Sequence, residues 1–220
     1  MLIRMDRLTR ARSGLSEEEY ELLSRLSTPS AIQDFLDALP MNWEKEGPTY
    51  RSPRGVLREQ KAHCIEGALL AATALWIHGE PPLIMDLSAR MGKGDTDHVI
   101  ALYKRGGAWG AVSKTNHAVL RFRDPIYRTP RELALSYFNE WFLPSGEKTL
   151  ECYSRPMRMS RFGTEWITAE RDLYDIVDAI SVAPHYDLVP KGNWRHVRSA
   201  DSMERKAGSF AEWPRSHPGT

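Results

Sequence analysis

The segment from about His63 to Trp76, whose core reads CIEGALLAATALW, is apolar or small on nearly every side of a helical projection. A helix of this kind has no polar face to present to water, so it must be buried inside the fold. Its uninterrupted apolar part, Ala68–Ile77, is only about half of the roughly 20 residues that cross a bilayer. We therefore predict a buried central helix, which His78-Gly79 and the two following prolines bring to an end.

The residues after this helix include several short runs typical of β-strands. We predict strands over residues 83–87, 98–103, 108–112, 118–122 and 149–153. A glycine-containing loop, Arg90–Thr96, separates the first two strands, and Arg105-Gly106-Gly107 forms a turn. These elements predict an α+β fold in which an antiparallel sheet lies behind the buried helix.

Amphipathic helices flank this region. Ser16 caps a helix that runs to about Leu26 and has carboxylates in its first turn. Ser30 caps a second helix that Pro40 ends, and residues 42–55 are predicted as a loop. Later helices are predicted from Thr129 and over residues 170–180.

These features divide the chain into three parts. Residues 1–14 are basic and lack periodicity, which predicts a flexible arm. Residues 15–190 form a single domain with a helical N-terminal lobe. Residues 191–220 are polar, which predicts a partly disordered tail.

Composition limits the classes of partner. Lys plus Arg number 30 and Asp plus Glu 29, so the formal net charge is +1. This balance gives no overall electrostatic reason to expect a membrane surface or nucleic acid as a partner. The stretch 121–131 interleaves arginines with aromatic residues and leaves nucleic acid open as a third hypothesis, although a solvated edge strand explains it better.

The two cysteines, Cys64 and Cys152, are too few for a disulfide scaffold and fit a reducing compartment. The first 15 residues lack the apolar stretch of a signal peptide, so we expect a cytoplasmic protein.

Cys64 and His98 are the residues that point to chemistry. A thiol at a helix N-terminus experiences the positive end of the helix dipole, which lowers its pKa. A strand that begins at His98 beside that helix can place an imidazole against the sulfur, and the resulting pair is an activated nucleophile for acyl transfer. The backbone N–H of Cys64 and its neighbours can serve as an oxyanion hole.

Structural explanations exist for the same residues. Free cysteine is among the most buried residue types, so Cys64 can be a packing residue. In that case His98 is also structural, because its catalytic role depends on Cys64. We interpret His63 as a structural residue and Glu66 as a first-turn carboxylate. Gln60 remains a candidate donor to an oxyanion. The spacing of Asp86, Asp95, Asp97 and His98 fits no zinc signature, and we predict neither a metal nor a cofactor.

The run HCIEGALLAATALWIHGEPP resembles the nucleophile helix of the transglutaminase-like family, within the papain-like superfamily. DHVIALYKRGGAWGAVSKT resembles its histidine strand, glycine turn and tryptophan-containing return strand, so the resemblance covers roughly residues 55–125. Cys64-Ile65-Glu66 is also similar to the nucleophile segment of arylamine N-acetyltransferases. The resemblance implies a peptidase, amidase or transamidase that acts on a peptide or amide through a Cys–His–Asp triad.

The third member of that triad departs from the family pattern. The family carries an Asp on the return strand, where this chain has Ser113 and Lys114 roughly opposite His98. We predict that Asn116 orients the imidazole through its side-chain carbonyl, with Asp124 as the other candidate. The missing Asp also motivates an alternative, a catalytically inactive member of the fold that acts as a protein-binding module.

Overall fold

This computed structural model describes residues 7–212, in which five helices precede the first strand and most of the strands come after them in succession. The helices are α1 (Arg10–Ser13), α2 (Glu17–Arg25), α3 (Pro29–Ala38), α4 (Pro53–Glu59), α5 (Cys64–Ile77), α6 (Pro130–Phe138), α7 (Tyr174–Ser181) and α8 (Ser202–Gly208). The strands are β1 (Leu83–Ala89), β2 (His98–Arg105), β3 (Ala108–Val112), β4 (Arg123–Tyr127), β5 (Leu150–Ser154), β6 (Met157–Arg158) and β7 (His185–Asp187).

The strands form one open antiparallel sheet in the order β4-β3-β2-β1-β5-β7, with β6 paired to β1. The first four strands make the predicted meander, and the β2–β3 hairpin aligns Ala101 with Val112. The predicted α+β class with an antiparallel sheet is therefore confirmed.

Helices cover both faces of this sheet, as side-chain alternation along each strand requires. On β1, Ile84 packs with α5 and the N-terminal helices, whereas the next residue, Met85, packs with α6 on the opposite face. Every residue of α5 after Cys64 is buried, which confirms the central helix expected from its all-round apolar pattern.

Chain direction brings three segments together at one end of the sheet. Helix α5 lies along β2, and both begin at this end. Because β3 is antiparallel to β2, the residues that follow Val112 return to the same end. Cys64, His98 and the segment 113–116 are thus brought close together by topology.

Gly67 permits this close approach. A β-carbon at position 67 would lie 2.4 Å from Cβ of Lys114, so any larger residue would push the segment 113–116 off the first turn of α5. The buried Lys114 ammonium donates to the carbonyls of Leu36 (2.9 Å) and Leu39 at the end of α3. A cation there complements the partial negative charge at the C-terminal end of the helix.

Several predicted boundaries are wrong for local reasons. Ser52 caps the unpredicted helix α4, which begins inside the stretch expected to be a loop. Thr28, with Pro29 after it, caps α3 in place of Ser30. The strand expected over 118–122 is a 3-10 turn over Ala118–Leu120, and pairing with β3 begins only at β4. Helix α7 begins at Tyr174 and not at residue 170.

The two termini are more ordered than predicted where they are described. Within the predicted flexible arm, Leu8 is fully buried and its N–H donates to the carbonyl of Trp76 (3.2 Å). Within the predicted tail, residues 202–208 form α8, capped by Asp201. Residues 1–6 and 213–220 of these predictions lie outside the described residues. No helix among residues 7–212 is both long enough and apolar enough to cross a membrane.

Candidate active site

Cys64 is the first residue of α5, where helix N–H groups have no intrahelical acceptor. His63 before it has an extended backbone, with φ −105° and ψ −171°, and occupies the capping position. Cys64 itself is half-buried, so its sulfur lies at the boundary between the core and a pocket. This is the position in which the helix dipole favours a negative charge.

The imidazole of His98 is held from its far side. His98 is buried, and its Nε2 lies 2.7 Å from Oγ of Ser113. The hydroxyl of Ser113 donates its only hydrogen to the carbonyl of Leu120 (2.9 Å), so it must accept a hydrogen from Nε2. In neutral His98 the proton therefore sits on Nε2, and Nδ1 is the nitrogen left to face the sulfur as a base.

The surroundings of Cys64 favour the thiolate. Burial alone would raise the pKa of Cys64, but hydrogen bonds from His63 and His98 and the charge of both rings lower the pKa to about 5. Hydrogen bonds and opposite charges that act on the ionised form outweigh the cost of its desolvation. At neutral pH the sulfur is therefore an anion and a nucleophile.

His63, which we interpreted from the sequence as a structural residue, lies directly beside Cys64. Its Nδ1 lies 3.9 Å from Sγ of Cys64. Burial would lower the pKa of His63, but hydrogen bonding to Cys64, with the charges of Cys64 and Glu66, raises the pKa to about 9. The position of His63 directly before α5 was the signal in the sequence. A capping residue has an extended backbone, so its side chain does not point in the direction that helical spacing gives.

Glu66 is the buried anion beneath the site. Its carboxylate is fully buried and accepts hydrogen bonds from several donors of different segments. The donors are Nδ2 of Asn42, Oγ1 of Thr49, N and Nη1 of Arg51, and N of His63. This set ties the loop 42–51 to the first turn of α5 and fixes the backbone on which Cys64 is mounted. Its role exceeds that of the first-turn carboxylate predicted from the sequence.

Neither predicted candidate for the third member is the described hydrogen-bond partner of Nε2 in His98. Ser113 holds the place beside His98 that we predicted for Asn116 or Asp124. Asn116 is buried in the same pocket, and its Nδ2 has no hydrogen-bond partner among residues 7–212. Asp124 is exposed on β4, where its charge acts on Tyr103. The hairpin brings Ser113 near the ring because Ser113 follows Val112, which pairs with Ala101 on the strand that begins at His98.

Other segments complete the pocket around Cys64 and His98. The loop before β2 contributes Asp95, whose carboxylate accepts from Nε1 of Trp141 (3.0 Å). Gly208 of α8 forms another part of the wall. Gln60 does not line this pocket: its amide donates to the carbonyl of Leu57 on the exposed end of α4, so it is not the oxyanion donor considered above.

The C-terminal segment is held against the site by backbone pairing. The N–H of Ala118 donates to the carbonyl of Phe210 (2.9 Å), and the N–H of Glu212 donates to the carbonyl of Asn116 (2.8 Å). These bonds hold the C-terminal segment to the residues on both sides of His117, which lines the pocket. A polar tail sequence carries no pattern that would predict this pairing.

Residues 7–212 contain no group of three or more His, Cys, Asp or Glu side chains placed to hold a metal ion. Asp86, one of the carboxylates considered above, instead accepts from the hydroxyl of Ser88 and lies 3.3 Å from Nε2 of His185.

Comparison with known proteins adds no family assignment. No protein-family model matches the chain, and no curated protein matches it significantly.

Proposed function

We propose that this chain is a thiol enzyme of the papain-like, transglutaminase-like type, which transfers or hydrolyses the acyl group of an amide or peptide. The observation that carries the proposal is the placement of Cys64 at the start of a buried helix, in the wall of a pocket that it shares with the imidazole of His98. Nucleophile, base and base-holding residue occur in the spatial order that acyl transfer requires.

In the first half of the reaction, the Cys64 thiolate attacks the carbonyl carbon and the carbon–oxygen double bond opens to an oxyanion. First-turn N–H groups of α5 receive that oxyanion, as the helix N-terminus suits negative charge. The carbonyl then re-forms, the carbon–nitrogen bond breaks, and protonated His98 gives its Nδ1 proton to the leaving amine.

The second half releases the acyl group. Water or an amine gives a proton to Nδ1 of His98 as it attacks the thioester carbonyl. The carbon–sulfur bond breaks and the thiolate is restored. Throughout both halves Ser113 accepts from Nε2 and keeps the ring in one orientation.

One observation supports the alternative of an inactive, protein-binding member of the same fold. The described partner of Nε2 in His98 is the neutral hydroxyl of Ser113 and not a carboxylate. A neutral partner stabilises an imidazolium less than a carboxylate does. The experiment below separates the two functions, because a binding module forms no acyl intermediate.

The test is capture of a thioester on Cys64. The purified chain is mixed with a panel of p-nitrophenyl esters and aryl amides, quenched in acid and examined by intact mass and peptide mapping. We expect the acyl mass on Cys64 and none on the other cysteine, Cys152, with Cys64→Ala as the matched control. Absence of any acyl adduct on Cys64 across the panel would contradict the proposed function.

A further inference from the structure

The ring of His63 is enclosed by groups that favour its charged form. Its Nε2 lies 2.6 Å from the carbonyl oxygen of Thr49, which can only accept, so Nε2 carries a hydrogen. Carboxylate oxygens of Glu44 and Glu66 each lie 3.6 Å from the same nitrogen. The ring of Tyr50 packs edge-on against it at 6.1 Å. The carbonyl of Thr49 and the two carboxylates stabilise a positive charge on the ring.

The other nitrogen of the ring faces the nucleophile. Nδ1 of His63 lies 3.9 Å from Sγ of Cys64, and the ring is 7% exposed. Between two carboxylates and a sulfur, a doubly protonated ring meets an acceptor or an anion on each side. The sulfur in turn meets a cation that is fixed in place by the loop 42–51.

The two histidines beside the sulfur differ in what they can reach. Of the two, only His98 belongs to the wall of the pocket formed within residues 7–212. A leaving amine bound in this pocket can therefore take a proton from His98. His63 lies behind the sulfur, where it contacts the nucleophile and the loop 42–51 but not the space for a substrate.

We propose that His63 is a positioning residue that holds the Cys64 sulfur as a thiolate, which leaves His98 to carry the proton of the reaction. The inference rests on the proposed function for the role of His98 and divides two tasks that a single histidine performs in a simple thiol–imidazole pair. Cys64 and His63 form an ion pair as long as the sulfur is a thiolate and the ring carries both of its protons.

The test compares the pH dependence of iodoacetamide alkylation at Cys64 in the wild type and in His63→Gln. Glutamine keeps a donor for the carbonyl of Thr49 but carries no charge. Loss of a nearby opposite charge raises the pKa of a thiol by about 1–3 units. From a pKa of about 5, a rise of about 2 units lowers the ratio of the rate at pH 6 to the rate at pH 8 about tenfold, and this is the fall that we expect. His78→Gln, the same change at the other end of α5, should leave the ratio as in the wild type.

A second measurement needs no variant. In the wild type, the ring nitrogen shifts of His63 in NMR spectra should be those of an imidazolium at pH 7. A His63→Gln profile that superimposes on the wild type, or a neutral His63 at pH 7, would overturn the inference. If Cys64 is not acylated but the His63→Gln profile is altered, the proposed function and the role of His98 fall, and the role of His63 at the Cys64 sulfur stands.

Discussion

His98→Ala should lower the rate of Cys64 acylation by aryl amides by about 10³-fold, within the range expected for loss of a general acid–base group. An amine is a poor leaving group unless it is protonated, and His98 is the histidine that lines the pocket beside Cys64. A p-nitrophenolate leaves without a proton. The same variant should therefore lose far less activity toward p-nitrophenyl esters, about tenfold at most.

Two further variants accompany this test: one alters the residue that holds the ring of His98, and the other is a control. Ser113→Ala removes the acceptor of Nε2 and should cost on the order of 10-fold to 100-fold for amides through misplacement of the ring. His185→Ala alters a histidine of the same sheet that contacts Asp86 and should have little effect on either substrate. Equal losses for amides and esters in His98→Ala would contradict a proton-transfer role. The measurement is single-turnover kinetics at pH 7.

Glu66→Ala should lower the free energy of unfolding by about 3–5 kcal/mol, the cost of removing one partner of a buried ion pair. Its carboxylate is fully buried and pairs with Nη1 of Arg51 at 3.2 Å. It also accepts from Thr49 and from the backbone of His63, and those donors would lose their acceptor. Urea unfolding followed by tryptophan fluorescence measures the change.

Glu59→Ala is the matched control for Glu66→Ala, because Glu59 is exposed at the end of α4 and its carboxylate lies 3.8 Å from the ammonium of Lys61. It should change stability by less than about 0.5 kcal/mol. A Glu66→Ala protein as stable as Glu59→Ala would show that the buried carboxylate does not organise the first turn of α5.

The parts of the fold that local pattern determines were predicted well. The all-round apolar segment predicted α5 because burial is the one environment that accepts it. Short β-like runs and the turn at Arg105-Gly106-Gly107 predicted β1, β2 and β3, because these patterns are also local. Helix α4 was missed because it is only a seven-residue helix and begins in a stretch of loop-forming residues.

The candidate site was predictable in part. Cys64 and His98 come from segments with strong local patterns, so topology alone brings them near each other. The contact of Ser113 with His98 depends on the turn at Leu120, whose carbonyl directs the hydroxyl. The surroundings of His63 depend on Thr49 and Glu44 in a loop without periodicity. Such long-range polar contacts have no period that a sequence can reveal.

The central claim is that Cys64 is a thiolate at neutral pH, and the alkylation rate of Cys64 in the wild type between pH 4 and pH 10 tests it most directly. Because the pKa of Cys64 is lowered to about 5, the rate should rise through pH 5 and be nearly constant between pH 6 and pH 8. Cys152 is the internal reference, since burial raises its pKa and its alkylation should begin only in alkali. A midpoint near the unperturbed value of about 8.5 for Cys64 would contradict the account.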